Sequence, residues 1–246
     1  RRHQHELMVA KLTLPLILAG GYGKRLRPLT DDRPKPLVEV AGKPIILHQI
    51  EWLKRHGITD FVVLAGYRKE RLIEALGSGS RFGVSISYVV EDEPLGTGGA
   101  VRNARLLYRG RSDFLVVNGD IITNVDPTAL LKALERPGVI GALALVQLRS
   151  PYGIVEVSND DFVKSFREKP IIGEYWINAG IYAFRPEVEE YLPEKGDLET
   201  VTFPALAKEG KLVAVKYDLN KYYWKSVDTY KDLEEASNDI ERFNAR

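Results

Sequence analysis

Gly20, Gly21 and Gly23, followed closely by Lys24, Arg25 and Arg27, form a stretch suited to holding phosphate groups. A backbone without Cβ approaches a phosphate closely and adopts positive φ, so several N–H groups can converge on its oxygens. Basic side chains then neutralise the charge. Two more cations follow in stiff settings, Lys35 within Pro34-Lys-Pro36 and Lys43 within Gly42-Lys-Pro44, where the prolines fix φ and hold the chain extended. Neither familiar phosphate-loop pattern fits. Gly21-Tyr-Gly23-Lys-Arg-Leu26 lacks the third glycine of a dinucleotide fingerprint, and Gly23-Lys24 is followed by Arg25 where a P-loop requires Ser or Thr. Further along, Asp120 ends the Asn118-Gly-Asp120 turn after an apolar run. Beside a triphosphate, such a carboxylate is a natural ligand for Mg²⁺, a hard cation usually held by one or two carboxylates plus phosphate oxygens. In isolation it would read as an ordinary turn aspartate.

These residues need a scaffold, and the hydrophobic pattern supplies one. Leu14 to Ala19 reads as a buried strand feeding the glycine loop, and Pro44 opens a helix that ends before Gly57. Phe61 to Ala65 is a strand, Lys69 to Leu76 a helix stopped by Gly77, and Val84 to Val90 another strand. Leu95-Gly-Thr-Gly-Gly-Ala100 leads into a helix reaching about Tyr108, Phe114 to Val117 is a strand, and Asp126-Pro127 caps a helix to about Glu135. This alternation predicts an α/β fold: a Rossmann-like, mixed and mostly parallel sheet flanked by helices. Ligands of such sheets lie at the carboxyl ends of the strands, so Gly20 and Asp120 should converge. The second half is richer in strands, at Val139 to Leu148, Tyr152 to Val157, Phe162 to Glu168 and Trp176 to Phe184. A helix following Trp224 carries an apolar stripe of Tyr230, Leu233, Ala236, Ile240 and Phe243.

The run Leu18-Ala-Gly-Gly-x-Gly-x-Arg25-Leu-x-Pro28-Leu-Thr30, then Pro34-Lys-Pro36-Leu and Gly42-Lys-Pro44, resembles the sugar-1-phosphate nucleotidyltransferases, also called nucleoside-diphosphate-sugar pyrophosphorylases. The pattern continues with Tyr152-Gly153, Val155-Glu156, Glu168-Lys169-Pro170 and Asn178-Ala-Gly-Ile-Tyr182, and covers about Leu14 to Ala236. The resemblance implies a nucleotide site at Leu18, Ala19, Gly20, Gly21, Gly23, Lys24, Arg25, Glu91, Gly96 and Thr97. It implies catalytic roles for Arg25, Lys35 and Asp120, with Lys35 stabilising charge at the α-phosphate. It implies a sugar-phosphate site at Gly153, Glu168, Lys169 and Asn178, in a small β-rich lobe, and Mg²⁺ held by Asp120 and Asp228. One departure stands out. The commoner pattern is Trp-x-Asp-x-Gly-Thr, whereas this chain reads Trp224-Lys-Ser226-Val-Asp228-Thr229, an Asp-Thr spacing found in cytidylyltransferase-like members. Asp228 is therefore taken as the second metal ligand, with helix N-capping as its competing role.

Glu93-Pro-Leu-Gly-Thr-Gly-Gly-Ala100 looks most like the mannose-1-phosphate guanylyltransferases, which implies GTP and mannose 1-phosphate as substrates. A glutamate at position 91 suits guanine, whose N1–H and N2–H₂ are adjacent donors. UTP, dTTP or CTP are the alternatives. Two other classes stay open: a nucleotide-sugar-dependent glycosyltransferase, and a catalytically silent nucleotide- and sugar-binding regulator.

The bounds agree with a small-molecule enzyme. The 246 residues, 44% hydrophobic, suit one domain over 8–246, with a nucleotide half at about 12–135 and a sugar half at about 136–246. Net charge is +1 without a long basic block, so no nucleic-acid partner is expected. Cysteine is absent, which removes disulfides and thiolate metal sites. Residues 1–7, ahead of Met8, read as an upstream remnant or tag, which sets aside His3 and His5 as metal ligands. The apolar stretch ending at Ala19 is broken by Pro15 and runs into the glycine loop; neither a secretory leader nor a membrane span is expected, and the expected setting is the cytoplasm. No hexapeptide repeats follow, so no β-helical tail is expected. Tyr222, Tyr223 and Trp224 could form an apolar patch supporting a homodimer.

Overall fold

The computed structural model describes residues 1–4 and 13–244, with side chains through 242; His5, Met8 and the Phe243 side chain lie outside the described residues. In chain order the strands are β1 (Pro15–Ala19), β2 (Glu39–Val40), β3 (Lys43–Pro44), β4 (Asp60–Ala65), β5 (Ser85–Val90), β6 (Phe114–Asn118), β7 (Ile121–Thr123), β8 (Gly141–Arg149), β9 (Ile154–Val157), β10 (Val163–Arg167), β11 (Ile171–Phe184), β12 (Leu212–Tyr217) and β13 (Trp224–Ser226). Seven of them make one sheet in the order β12-β8-β11-β6-β1-β4-β5. Only β11 runs against its neighbours, pairing antiparallel with both β6 and β8. The mostly parallel α/β expectation is borne out, and the same sheet runs through both halves of the chain.

Helices cover both faces. One apolar layer joins the helices Ile45–Arg55, Lys69–Leu76 and Thr128–Ala133 to the sheet through Ile50, Trp52, Leu72 and Leu130. The other packs Val101, Tyr108 and Leu206 against Leu16, Val116 and Phe184. Strands buried on both sides must read as continuous apolar runs, and PLILA and FLVV do. The helix expected to reach Tyr108 is broken. Ala104 N–H bonds back to Val101 O in a tight turn, so Gly96–Asn103 ends there and Arg105–Tyr108 adds one separate turn. The segment between Phe184 and Trp224 offers no clear periodicity, yet it supplies edge strand β12 and the helix Phe203–Lys208.

A third, smaller core lies over the glycine loop. Leu26, Val38, Val40, Ile45, Ile122 and Val227 pack with Ala236, Leu233 and Ile240 of the helix Tyr230–Asn244. Tyr230 Oη also donates toward Leu26 O and Arg27 O, at 3.2 and 2.9 Å. The last helix thus braces the loop near the start of the chain. β9 and β10 form a separate hairpin with Val155, Val157, Val163 and Phe166 exposed.

Tyr222, Tyr223 and Trp224 are each half-buried and engaged within the chain. Trp224 Nε1 donates to Ala179 O at 2.8 Å, Tyr223 Oη bonds Asp239 Oδ2 at 2.8 Å, and Tyr222 packs edge-on against Tyr217. Part of their apolar surface packs on this chain's own core, and the rest lines an open cavity.

Candidate active site

β1 and β6 are adjacent and parallel, so the loops leaving their carboxyl ends meet. The approach is close: a Cβ on Gly119 would lie 2.2 Å from Leu18 O, a contact that leaves room only for glycine. Gly23 has φ 61°, and its carbonyl accepts from Thr30 Oγ1 at 2.7 Å. Tyr67 Oη in turn donates to Thr30 O at 2.7 Å. These bonds fold the stretch 20–35 into a cradle at the carboxyl ends of the central strands.

The cradle walls a cavity of about 450 Å³. Every nucleotide-site residue expected from the sequence lines it: Leu18, Ala19, Gly20, Gly21, Gly23, Lys24, Arg25, Glu91, Gly96 and Thr97, together with Lys35, Asp120 and Asp228. Glu91 lies across Gly20, where a Cβ would fall 1.9 Å from its Oε1, and its Oε2 accepts from Leu95 N–H at 2.8 Å. Burial pushes the Glu91 carboxyl up from its ordinary value, opposed by that N–H. Asp197 also lines this cavity and takes Thr97 N–H at 3.0 Å. The sequence carries no spacing signal for it.

Lys35 sits between the two acids. Its Nζ is 3.2 Å from Asp120 Oδ2 and 2.6 Å from Asp228 Oδ1, and Arg25 Nη2 is 3.4 Å from the same Asp228 oxygen. A short ladder brings these distant residues together. β13 pairs antiparallel with β7, matching Ser226 to Ile121, and Val227 N–H donates to Asp120 O at 2.8 Å. Asp228 therefore faces Asp120. The capping role that competed for Asp228 belongs to its neighbour: Thr229 Oγ1 accepts from Asp232 N–H at 3.2 Å, and Asp232 Oδ2 accepts from Thr229 N–H at 3.1 Å. That reciprocal pair is a capping box. It leaves the Asp228 carboxylate to Lys35, Arg25 and the Ser226 hydroxyl, which donates at 2.7 Å.

The two carboxyls are tuned in opposite senses. Burial raises Asp120 against the pull of Lys35. Burial also acts against Asp228, but Lys35 and Ser226 outweigh it and hold that carboxyl below its ordinary value. Two carboxylates converging on one cationic point suit a hard divalent ion that completes its shell with phosphate oxygens. Among the described residues, no group of three or more His, Asp or Glu side chains could hold a metal without such help.

A second cavity, of about 770 Å³, adjoins the first; Asp228 lines both. Of the expected sugar-phosphate residues, Lys169 lines it and Gly153, Glu168 and Asn178 do not. Gly153 carries the Phe166 ring, 2.7 Å from where a Cβ would be. Glu168 is exposed. The Asn178 amide bonds within its own strand, accepting from Gly180 N–H at 2.7 Å and donating to Tyr182 Oη at 2.8 Å. His48 bonds Val40 O at 2.7 Å and, with burial lowering its pKa, belongs to the packing.

The chain is similar to several known proteins. Mannose-1-phosphate guanyltransferase of Kluyveromyces lactis is 40% identical over 227 residues, covering 89% of this chain and 62% of the relative. The enzyme of the same name from Saccharomyces cerevisiae is 39% identical, with the same coverage of 89% and 62%. The chain thus spans less than two thirds of the curated relatives it matches. Among solved structures, HddC from Yersinia pseudotuberculosis aligns with a TM-score of 0.73 at 28% identity, over 93% of this chain and 99% of that one. A putative glucose-1-phosphate thymidylyltransferase from Bacillus anthracis gives 0.72 at 26%, over 92% and 94%. The sequence profile described as Nucleotidyl transferase matches residues 14–242, and the chain belongs to that family.

Proposed function

We propose that the chain joins a nucleoside triphosphate to a sugar 1-phosphate, releasing pyrophosphate, with GTP and mannose 1-phosphate as the pair. The observation that carries this reading is the junction at Asp228. It faces Lys35 and Asp120 at the glycine-walled cavity and also lines the cavity that holds Lys169. A triphosphate in the first and a sugar phosphate in the second would meet at these charges.

A sugar 1-phosphate is largely dianionic at neutral pH and needs no general base. Its phosphate oxygen forms the new bond to the α-phosphorus while the bond to the β-phosphate oxygen breaks, and that oxygen keeps the electron pair as pyrophosphate leaves. Positioning and charge stabilisation carry the step. Backbone N–H groups of residues 20–25 and the Arg25 side chain hold the triphosphate, Lys35 stabilises charge at the α-phosphate, and Lys169 holds the nucleophile. Asp120 and Asp228 would bind Mg²⁺, which when present supplies charge neutralisation at the phosphates.

GTP is favoured because Glu91 and Asp197 place carboxylate acceptors on the cavity wall, matching the N1–H and N2–H₂ donors of guanine. The mannose-1-phosphate guanyltransferases it resembles are named for the same base and for mannose, and HddC has been solved with GMP-PN.

Pyrophosphate release with Mg²⁺ across five nucleoside triphosphates, each with glucose, mannose, galactose and N-acetylglucosamine 1-phosphates, tests the proposal. GTP with mannose 1-phosphate should give the highest kcat/KM. Release only with another pair would change the substrates, and no release with any pair would favour a binding protein.

A further inference from the structure

The wall of the larger cavity contains a lysine that neither the sequence motifs nor the proposed mechanism uses. Lys225 stands on β13 between Trp224, tied to Ala179, and Ser226, tied to Asp228. Its side chain is only 21% exposed, and a lysine so covered needs anionic partners. Its principal partner is Glu235, whose Oε2 accepts directly from Lys225 Nζ, with Asp232 Oδ1 farther off at 3.8 Å. The other oxygen of Glu235, Oε1, lies 3.6 Å from Lys169 Nζ.

One carboxylate therefore spans two ammonium groups, one on each of its oxygens. A phosphate monoester presents the same pair of acceptors, with a third oxygen and twice the charge, so it is the better partner for two lysines. Lys225 holds the Glu235 carboxyl below its ordinary value, which keeps it charged and paired. The backbone adds an independent sign. Lys169 has φ 43°, left-handed for a residue with a side chain and next to Pro170, and strain of this kind concentrates at ligand-holding positions.

We propose that Lys225 is a second cation of the sugar-phosphate site, and that Glu235 is a positioning residue that holds Lys169 and Lys225 together until the phosphate takes its place. The inference rests on the proposed function, for which this cavity receives the sugar phosphate. Competition gives the two residues opposite signs. Removing Lys225 weakens the site, whereas neutralising Glu235 removes the internal competitor.

The test compares the KM for mannose 1-phosphate with the KM for GTP in the wild-type chain, Lys225→Met, Lys225→Arg and Glu235→Gln, with calorimetric titration of mannose 1-phosphate in parallel. Loss of one charge-assisted contact should raise the mannose 1-phosphate KM of Lys225→Met by about tenfold or more. GTP KM should stay within about twofold, and Lys225→Arg should recover most of the loss. Glu235→Gln should lower the mannose 1-phosphate KM. Equal binding by Lys225→Met and wild type would overturn the inference, as would KM changes of the same sign in Lys225→Met and Glu235→Gln, the pattern of a strut between strand and helix. If Lys225→Met does not fold, a wild-type-like KM in Glu235→Gln overturns it instead. A wild-type chain that binds mannose 1-phosphate without turnover would overturn the proposed function and leave the Lys225 comparison readable by calorimetry. A chain that neither binds nor turns over would overturn both.

Discussion

The smaller cavity is built on the loops at the ends of β1 and β6, where Gly20, Gly23 and Gly119 let neighbouring groups approach closely, and charged side chains such as Arg25, Lys35 and Asp120 project into it. The larger cavity is walled by long charged and aromatic side chains from separated segments, among them Arg149, Lys169, Trp224, Lys225 and Glu235. A wall of the first kind is fixed by strand pairing and tolerates little change. One of the second kind is fixed by ion pairs, which can exchange partners when an anion enters. In the proposed function the first cavity takes the triphosphate and the second the sugar phosphate.

If the first wall binds mainly through backbone, catalysis and binding should separate there. Lys35→Ala should lower kcat by about a hundredfold or more while GTP affinity changes little, the scale for losing one preorganised electrostatic donor. Steady-state kinetics with fluorescence or calorimetric GTP binding would show it, and parallel loss of both would break the contrast. Gly20→Ala should come next. Its Cβ must displace Glu91, which also holds Leu95 N–H, and should cost about tenfold in kcat/KM for GTP, on the scale of one buried hydrogen bond. The smallest effect belongs to the second region: Glu168→Ala, at an exposed position, should alter mannose 1-phosphate KM by less than about threefold.

The same contrast explains what could be read before the structure. Glycines, prolines and strand-end acids report backbone geometry, so Gly20, Gly23, Lys35 and Asp120 were legible from type and spacing. The glycine loop and the mostly parallel sheet follow from local pattern. Lys225 and Glu235 carry no such mark; they meet only because β13 pairs with β7 and the last helix folds back over the loop. Asp197 reaches the cavity through a contact with Thr97, a hundred residues away in sequence. Asn178 fits a motif, yet its amide oxygen is engaged by Gly180 N–H and Tyr182 Oη within β11. Thr229 resolves the ambiguity at Asp228 because its hydroxyl and Asp232 cap the helix by themselves.

In the proposed reaction centre, Asp228, and not the motif position Ser226, pairs with Asp120 around Lys35. The direct test is pyrophosphate release as a function of Mg²⁺ concentration for Asp228→Asn and Ser226→Ala beside the wild-type chain. Asp228→Asn should lose about a hundredfold in turnover and shift its Mg²⁺ requirement upward, while Ser226→Ala, which removes one hydrogen bond to the Asp228 carboxylate but leaves the carboxylate in place, should lose only about tenfold. An Asp228→Asn enzyme with wild-type turnover and an unchanged Mg²⁺ response would contradict it.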